Sequence, residues 1–161
     1  MGARLARTIL LGLLLAATPV AADMTPAPPR SKMPPAPSAE QEYSRGVAAT
    51  RAKEWSVAAA AFAKAVEMKP GYAEAWNGLG YALRNQGKYP ESIKAYDEAL
   101  RLRPDYPEAL EYLGEAYVKM GRLDDARRVL ERLKPLDAGM ARELSEVLRG
   151  AAKGEPSQNR K

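Results

Sequence analysis

From Ala39 to Arg149 apolar residues recur at helical spacing, and short breaks rich in Gly, Pro and Lys divide the chain into paired segments. The first segment opens with Ser38-Ala39-Glu40-Gln41, the form of a capping box, and predicts a helix over about 39–52. The clearest pair lies between Ala73 and Pro104. There an apolar helix containing small residues is followed by a Gly-Lys-Tyr-Pro turn and a second apolar helix. Pro90 suits the first turn of that second helix, where its missing N–H would have no partner, and Gly87 and Gly121 punctuate turns. Asp105 with Glu108 is a candidate cap for the next helix. A final helix is predicted over 138–149, with Met140, Leu144, Val147 and Leu148 on one face, Arg142, Glu143, Glu146 and Arg149 on the other, and Gly150 at its end. The pattern predicts an all-α domain.

The pairs repeat. Gly46, Gly80 and Gly114 are spaced by 34 residues, as are Ala58, Ser92 and Ala126, then Phe62, Tyr96 and Leu130, then Trp55, Tyr89 and Leu123, and Pro70 stands 34 before Pro104. With Trp76, Leu79, Leu83 and Ala99 in the middle copy, the chain resembles the tetratricopeptide repeat (TPR) family, whose unit is a helix-turn-helix of that length. The resemblance implies a right-handed α-solenoid of three TPR-like hairpins, about 39–72, 73–106 and 107–137, closed by a capping helix. Glu42 and Arg45 replace Trp76 and Leu79 in the first copy, as suits an outer helix with no preceding repeat. The third copy has Leu133 and Ala138 in place of Ala99 and of the terminal proline, and its second helix is expected to stop early, at Pro135.

Physical reasons stand beside the family ones. The Gly and Ala/Ser columns are small because the helices of a hairpin cross there, and Phe62, Tyr96 and Leu130 fill the space between hairpins.

Upstream, Arg4 and Arg7 precede an apolar run from Ile9 to Ala17, with small residues Val20, Ala21 and Ala22 before Asp23. Residues 1–22 therefore read as a secretory signal cleaved after Ala22, since Thr18 and Pro19 break the run well short of the ~20 apolar residues of a membrane span. The expectation is an exported protein, periplasmic in a Gram-negative bacterium and otherwise secreted, without a stable membrane anchor after cleavage. Residues 23–38 are a Pro/Ala-rich tether, or alternatively a polyproline ligand, and residues 150–161 form a short polar tail.

Composition narrows the chemistry. Without Cys or His the chain has no disulfide, thiolate or imidazole chemistry, and no cofactor or metal is expected. The net charge of +5 comes from the ends; between Ala39 and Arg149, 18 basic residues balance 18 acidic ones, which argues against nucleic acid. Glu108, Glu111 and Glu115 share one helix face, but no apolar enclosure, phosphate loop or nucleophile elbow accompanies them, so an enzyme is not expected.

The resemblance also implies that the first helix of each hairpin lines a concave, peptide-binding groove. Mapped at the repeat offset, the groove carries Glu40, Tyr43 and Val47, then Glu74, Asn77 and Tyr81, then Glu108, Glu111, Tyr112 and Glu115. Where family members that hold a C-terminal carboxylate use Lys, Asn and Arg, this chain has Tyr43, Val47, Gly78, Glu108 and Tyr112, so a carboxylate clamp is not expected. Two readings follow. Either the acidic, tyrosine-bearing groove takes a Lys- or Arg-containing protein segment, or its glutamates are a solvated face balanced by Arg51, Arg84 and Lys119. At the level of the whole molecule, a binding module or scaffold stands against a constitutive subunit of an envelope assembly, or a self-associating repeat protein.

Overall fold

The computed structural model describes residues 36–154. The predicted signal segment, all but the last three residues of the tether, and the tail from residue 155 lie outside the described residues. Within them are seven helices and no strand: α1 (Ala39–Arg51), α2 (Trp55–Met68), α3 (Ala73–Asn85), α4 (Tyr89–Leu102), α5 (Pro107–Lys119), α6 (Leu123–Leu133) and α7 (Ala138–Gly154). Each helix packs on its successor, α1 also meets α3 and α3 meets α5, and α7 lies against both α5 and α6. The first helices of the hairpins thus form one continuous side of an α-solenoid. Among the described residues no helix is long and apolar enough to cross a membrane.

The helix ends follow from local chemistry. Ser38 Oγ accepts from Gln41 N at 3.2 Å while Gln41 Oε1 accepts from Ser38 N at 2.8 Å, completing the capping box that opens α1. Pro90 and Pro107 stand in the first turns of α4 and α5. Tyr106, not Asp105, is the N-cap residue of α5, and no side chain caps it: Asp105 stands one residue before the cap position, out of register for the N2 and N3 N–H groups.

The first helix of each hairpin ends on a left-handed residue at the same repeat position. Gly87 (φ 76°) and Gly121 (φ 70°) fill it in the second and third hairpins, and Lys53 (φ 59°) in the first. In all three the next N–H returns to a carbonyl five residues back: Glu54 to Ala49, Lys88 to Leu83, Arg122 to Tyr117. Lys53 bears a Cβ in a conformation that favours glycine. Lys53→Gly is expected to raise stability by about 0.5–1 kcal/mol, the relief of strain exceeding the added unfolded-state entropy. An unchanged or lower urea midpoint would show that Lys53 is unstrained.

The small columns are occupied as the crossing argument requires. Ala58, Ser92 and Ala126 are fully buried. A Cβ at Gly46 would come within 2.7 Å of the Phe62 ring, as would one at Gly78, so that ring sits between two hairpins; a Cβ at Gly80 would lie 2.6 Å from Tyr96 Cε1. Gly114 breaks the series. Its open face is filled by Leu144 of α7, not by Leu130 of its own hairpin.

Two end features depart from the sequence expectation. Glu42 is nearly buried, at 6% exposure, and pairs with Arg45 one turn along the same helix at 2.9 Å. The capping helix also continues past Gly150 to Gly154, because Ala151 extends the packed stripe of Leu144 and Leu148 and the intervening residues permit helix. Asp137 starts it, its Oδ1 accepting from Gly139 N at 2.8 Å and Met140 N at 2.9 Å.

Candidate peptide groove

The side formed by α1, α3 and α5 contains a hollow of about 330 Å³. Its lining includes Tyr43 and Val47 from α1, Glu74, Asn77 and Tyr81 from α3, and Tyr112 from α5. These residues were legible from the repeat register. Thr50, Arg51, Phe62, Gly78 and Tyr106 complete the wall. Tyr106 was not among the sequence candidates because it precedes α5, yet its repeat mate Tyr72 stands at the same place before α3 and signals the position.

Aromatic rings form the wall. Tyr43 lies 4.9 Å from Tyr72 and 5.6 Å from Phe62, centroid to centroid; Tyr81 lies 5.9 Å from Trp55 and 5.0 Å from Tyr112; Tyr112 rests 6.2 Å from the buried Tyr96. Such tilted and edge-on contacts fix the rings before any ligand arrives. Arg84 braces two of them, its guanidinium carbon 5.2 Å from the Tyr81 centroid and 5.1 Å from that of Tyr112, while it pairs with Glu115. Burial pushes the Tyr106 and Tyr112 hydroxyls above their ordinary range, so both stay neutral donors. Asn77 donates to the Tyr106 hydroxyl at 3.4 Å, and its buried Oδ1 has no donor among the described residues.

The glutamates divide into two groups. Glu40 pairs with Lys69 at 2.9 Å, and Glu74 pairs with Arg103 one repeat later. The cations are anchored in turn, Lys69 Nζ 4.7 Å from the Tyr72 centroid and Arg103 Cζ 4.5 Å from that of Tyr106. The hydrogen bond from Lys69 holds Glu40 below the ordinary carboxylate range; for Glu74 burial pushes upward, and the Arg103 hydrogen bond with a backbone donor outweighs it. With Glu115 held by Arg84, three of the candidate carboxylates are neutralised within the domain. Glu40, Glu108, Glu111 and Glu115 lie outside the hollow's lining. Glu108 and Glu111 have no cation partner among the described residues. Glu111 is 7% exposed, and burial followed by the charge of Glu143 raises it above the ordinary range. Of the expected balancing cations, Arg84 acts as foreseen, Arg51 lines the tyrosine hollow, and Lys119 borders a second hollow of about 280 Å³ with Arg84, Asn85 and Tyr89.

Comparison with known proteins places this arrangement. Residues 80–121 match the family described as TPR repeat, and residues 61–94 match that described as tetratricopeptide repeat. Residues 61–121 thus carry the TPR pattern. Solved TPR structures share the fold. The Sgt2 TPR domain from Aspergillus fumigatus aligns with a TM-score of 0.66 at 25% identity, over 83% of this chain and 94% of that one. The TPR2B-domain:pHsp70 complex of yeast Sti1 aligns with a TM-score of 0.68 at 20% identity, over 73% of this chain and 98% of that one. The second TPR domain of the human RPAP3 protein, in complex with the HSP70 peptide SGPTIEEVD, aligns with a TM-score of 0.64 at 24% identity, over 68% and 93%. No curated protein matches the chain. In this TPR-like solenoid the tyrosine hollow lies on the side formed by the first helices of the hairpins, where the family resemblance put a peptide surface.

Proposed function

We propose that this TPR domain is a protein-interaction module that holds an extended, Lys- or Arg-containing segment of a partner across α1, α3 and α5. The observation that carries the reading is the hollow itself: four tyrosines with restrained rings line it beside Asn77, whose Oδ1 lacks a donor. Rings fixed in advance offer contact area without the entropy cost of ordering long side chains, and Asn77 supplies the amide chemistry that pairs with a peptide backbone. The yeast Sti1 and human RPAP3 TPR structures, each in complex with an Hsp70 ligand, support a peptide as occupant. The residues here are not a carboxylate clamp, so the ligand chemistry differs even where the surface corresponds. Catalysis has no part in this proposal. Export completes it, and N-terminal sequencing of the mature protein that found Met1 instead of Asp23 would overturn that part.

A photo-crosslinking side chain at Tyr81 is expected to trap the partner in cells. Tyr112→Ala in the same chain should then reduce trapping at least tenfold while helicity is retained. Equal trapping with and without the Tyr112 ring would overturn the groove reading. The mass of residues 23–161 in solution separates this module from the constitutive-subunit alternative: a monomer fits the module, an obligate oligomer the subunit.

A further inference from the structure

The two ion pairs that cross between repeats recur at a fixed register. Glu40 with Lys69 and Glu74 with Arg103 stand 34 residues apart, so the third pair would join Glu108 to residue 137. Residue 137 is Asp, already engaged as the cap of α7 through Gly139 N and Met140 N. The cation is therefore missing where the register places it. Beside it Glu111 is 7% exposed with no cation partner among the described residues, and Glu143 of α7 faces it within hydrogen-bonding reach. A buried carboxylate without a counter-ion is costly, and its cost is recovered when a cation arrives.

Resting on the groove reading, we infer that the α5–α7 end of the groove is a receptor for one Lys or Arg side chain of the bound segment, with Glu111 as buried counter-ion and Glu108 and Glu143 at its rim. The arriving cation takes the role that Lys69 and Arg103 fill in the first two repeats. The other groups around Glu111 do not meet the need. Arg84 of α3 pairs with Glu115, Tyr112 is a neutral phenol, and Asp137 adds negative charge. The glutamates of the first two repeats do not contribute, so a single basic position is read, in a fixed place relative to the side chain seated among the tyrosines.

The test is selection of a random dodecapeptide library on the full chain, followed by affinity measurements with the selected peptides. The expected peptides share an apolar or aromatic position and, at constant spacing, Lys or Arg. Glu111→Gln should weaken them at least tenfold. Replacing the peptide's basic residue by Gln should cost at least tenfold on the wild type and nothing further on Glu111→Gln, the signature of direct coupling. Folding is controlled in the same samples. Since burial raises Glu111 above its unfolded value, the wild type should be less stable than Glu111→Gln at neutral pH, with the gap closing as pH falls through the carboxylate range. Peptides that depend on Tyr81 and Tyr112 but carry no fixed basic residue, or that bind Glu111→Gln equally well, would overturn the cation receptor and leave the groove. If no selected peptide depends on the tyrosines, both readings fall.

Discussion

Leu144→Ala is expected to destabilise the domain by about 2–5 kcal/mol, although the residue lies in a helix that follows the last full repeat. Leu144 is fully buried, in one cluster with Leu110, Leu113 and Leu133, and it occupies the space left open by Gly114. In the first two hairpins the equivalent glycines face an aromatic ring of their own hairpin; in the third the stack must end, and α7 supplies the covering group. Truncation to alanine leaves a cavity that rigid neighbouring helices cannot close. A second consequence follows from the one-dimensional connectivity of solenoids, in which each repeat is held by its neighbours. Loss of the α7 contact should unfold α5 and α6 first, so amides of Leu110 and Leu113 should exchange faster than those of Ala58 and Phe62. Urea denaturation with hydrogen exchange measures both. Uniform loss of protection across all three hairpins would mean that the domain melts as one unit, and an unchanged midpoint would mean that α7 is not its cap.

The parts of this molecule legible in the sequence are those set by local rules or by the repeat period. Ser38 and Gln41 are three residues apart, so their capping box shows directly, and the 34-residue columns place Gly46 and Gly80 opposite large rings. What the period does not carry is the way the series ends. By translation Gly114 should meet Leu130, but α7 offers a longer apolar stripe, through Ala151, and takes that place. The charge of the groove was hidden for another reason. Glu40 and Glu74 read as free acids along their own helices, while their partners Lys69 and Arg103 stand 29 residues later, at the ends of the following helices. Only the closure of each hairpin joins them. Once joined, the same register puts Asp137, not a cation, opposite Glu108, the departure on which the proposed cation receptor rests.

Tyr96→Ala is expected to cost about 3–5 kcal/mol, while Tyr96→Phe should be neutral or stabilising by up to about 1 kcal/mol. The ring is fully buried, lies against the bare face of Gly80 and packs 6.2 Å from Tyr112, so removing it opens a cavity between the second and third hairpins. Its hydroxyl is buried facing Arg84 but without a hydrogen bond of normal geometry, and burial drives its ionisation far above the ordinary range, so the oxygen carries a desolvation cost that is poorly compensated. The two substitutions therefore separate shape from polarity at one site. They also separate core from groove, because Tyr96 supports Tyr112 from behind without lining the hollow. At a temperature where Tyr96→Ala remains folded, partner trapping through Tyr81 should fall with it as the Tyr112 ring loses its backing; Tyr96→Phe should trap as the wild type does. Urea midpoints and crosslink yields measured on the same preparations test the pair. A Phe variant destabilised by more than about 1 kcal/mol would show that the hydroxyl has a partner after all, which Arg84, the nearest cation, would have to supply.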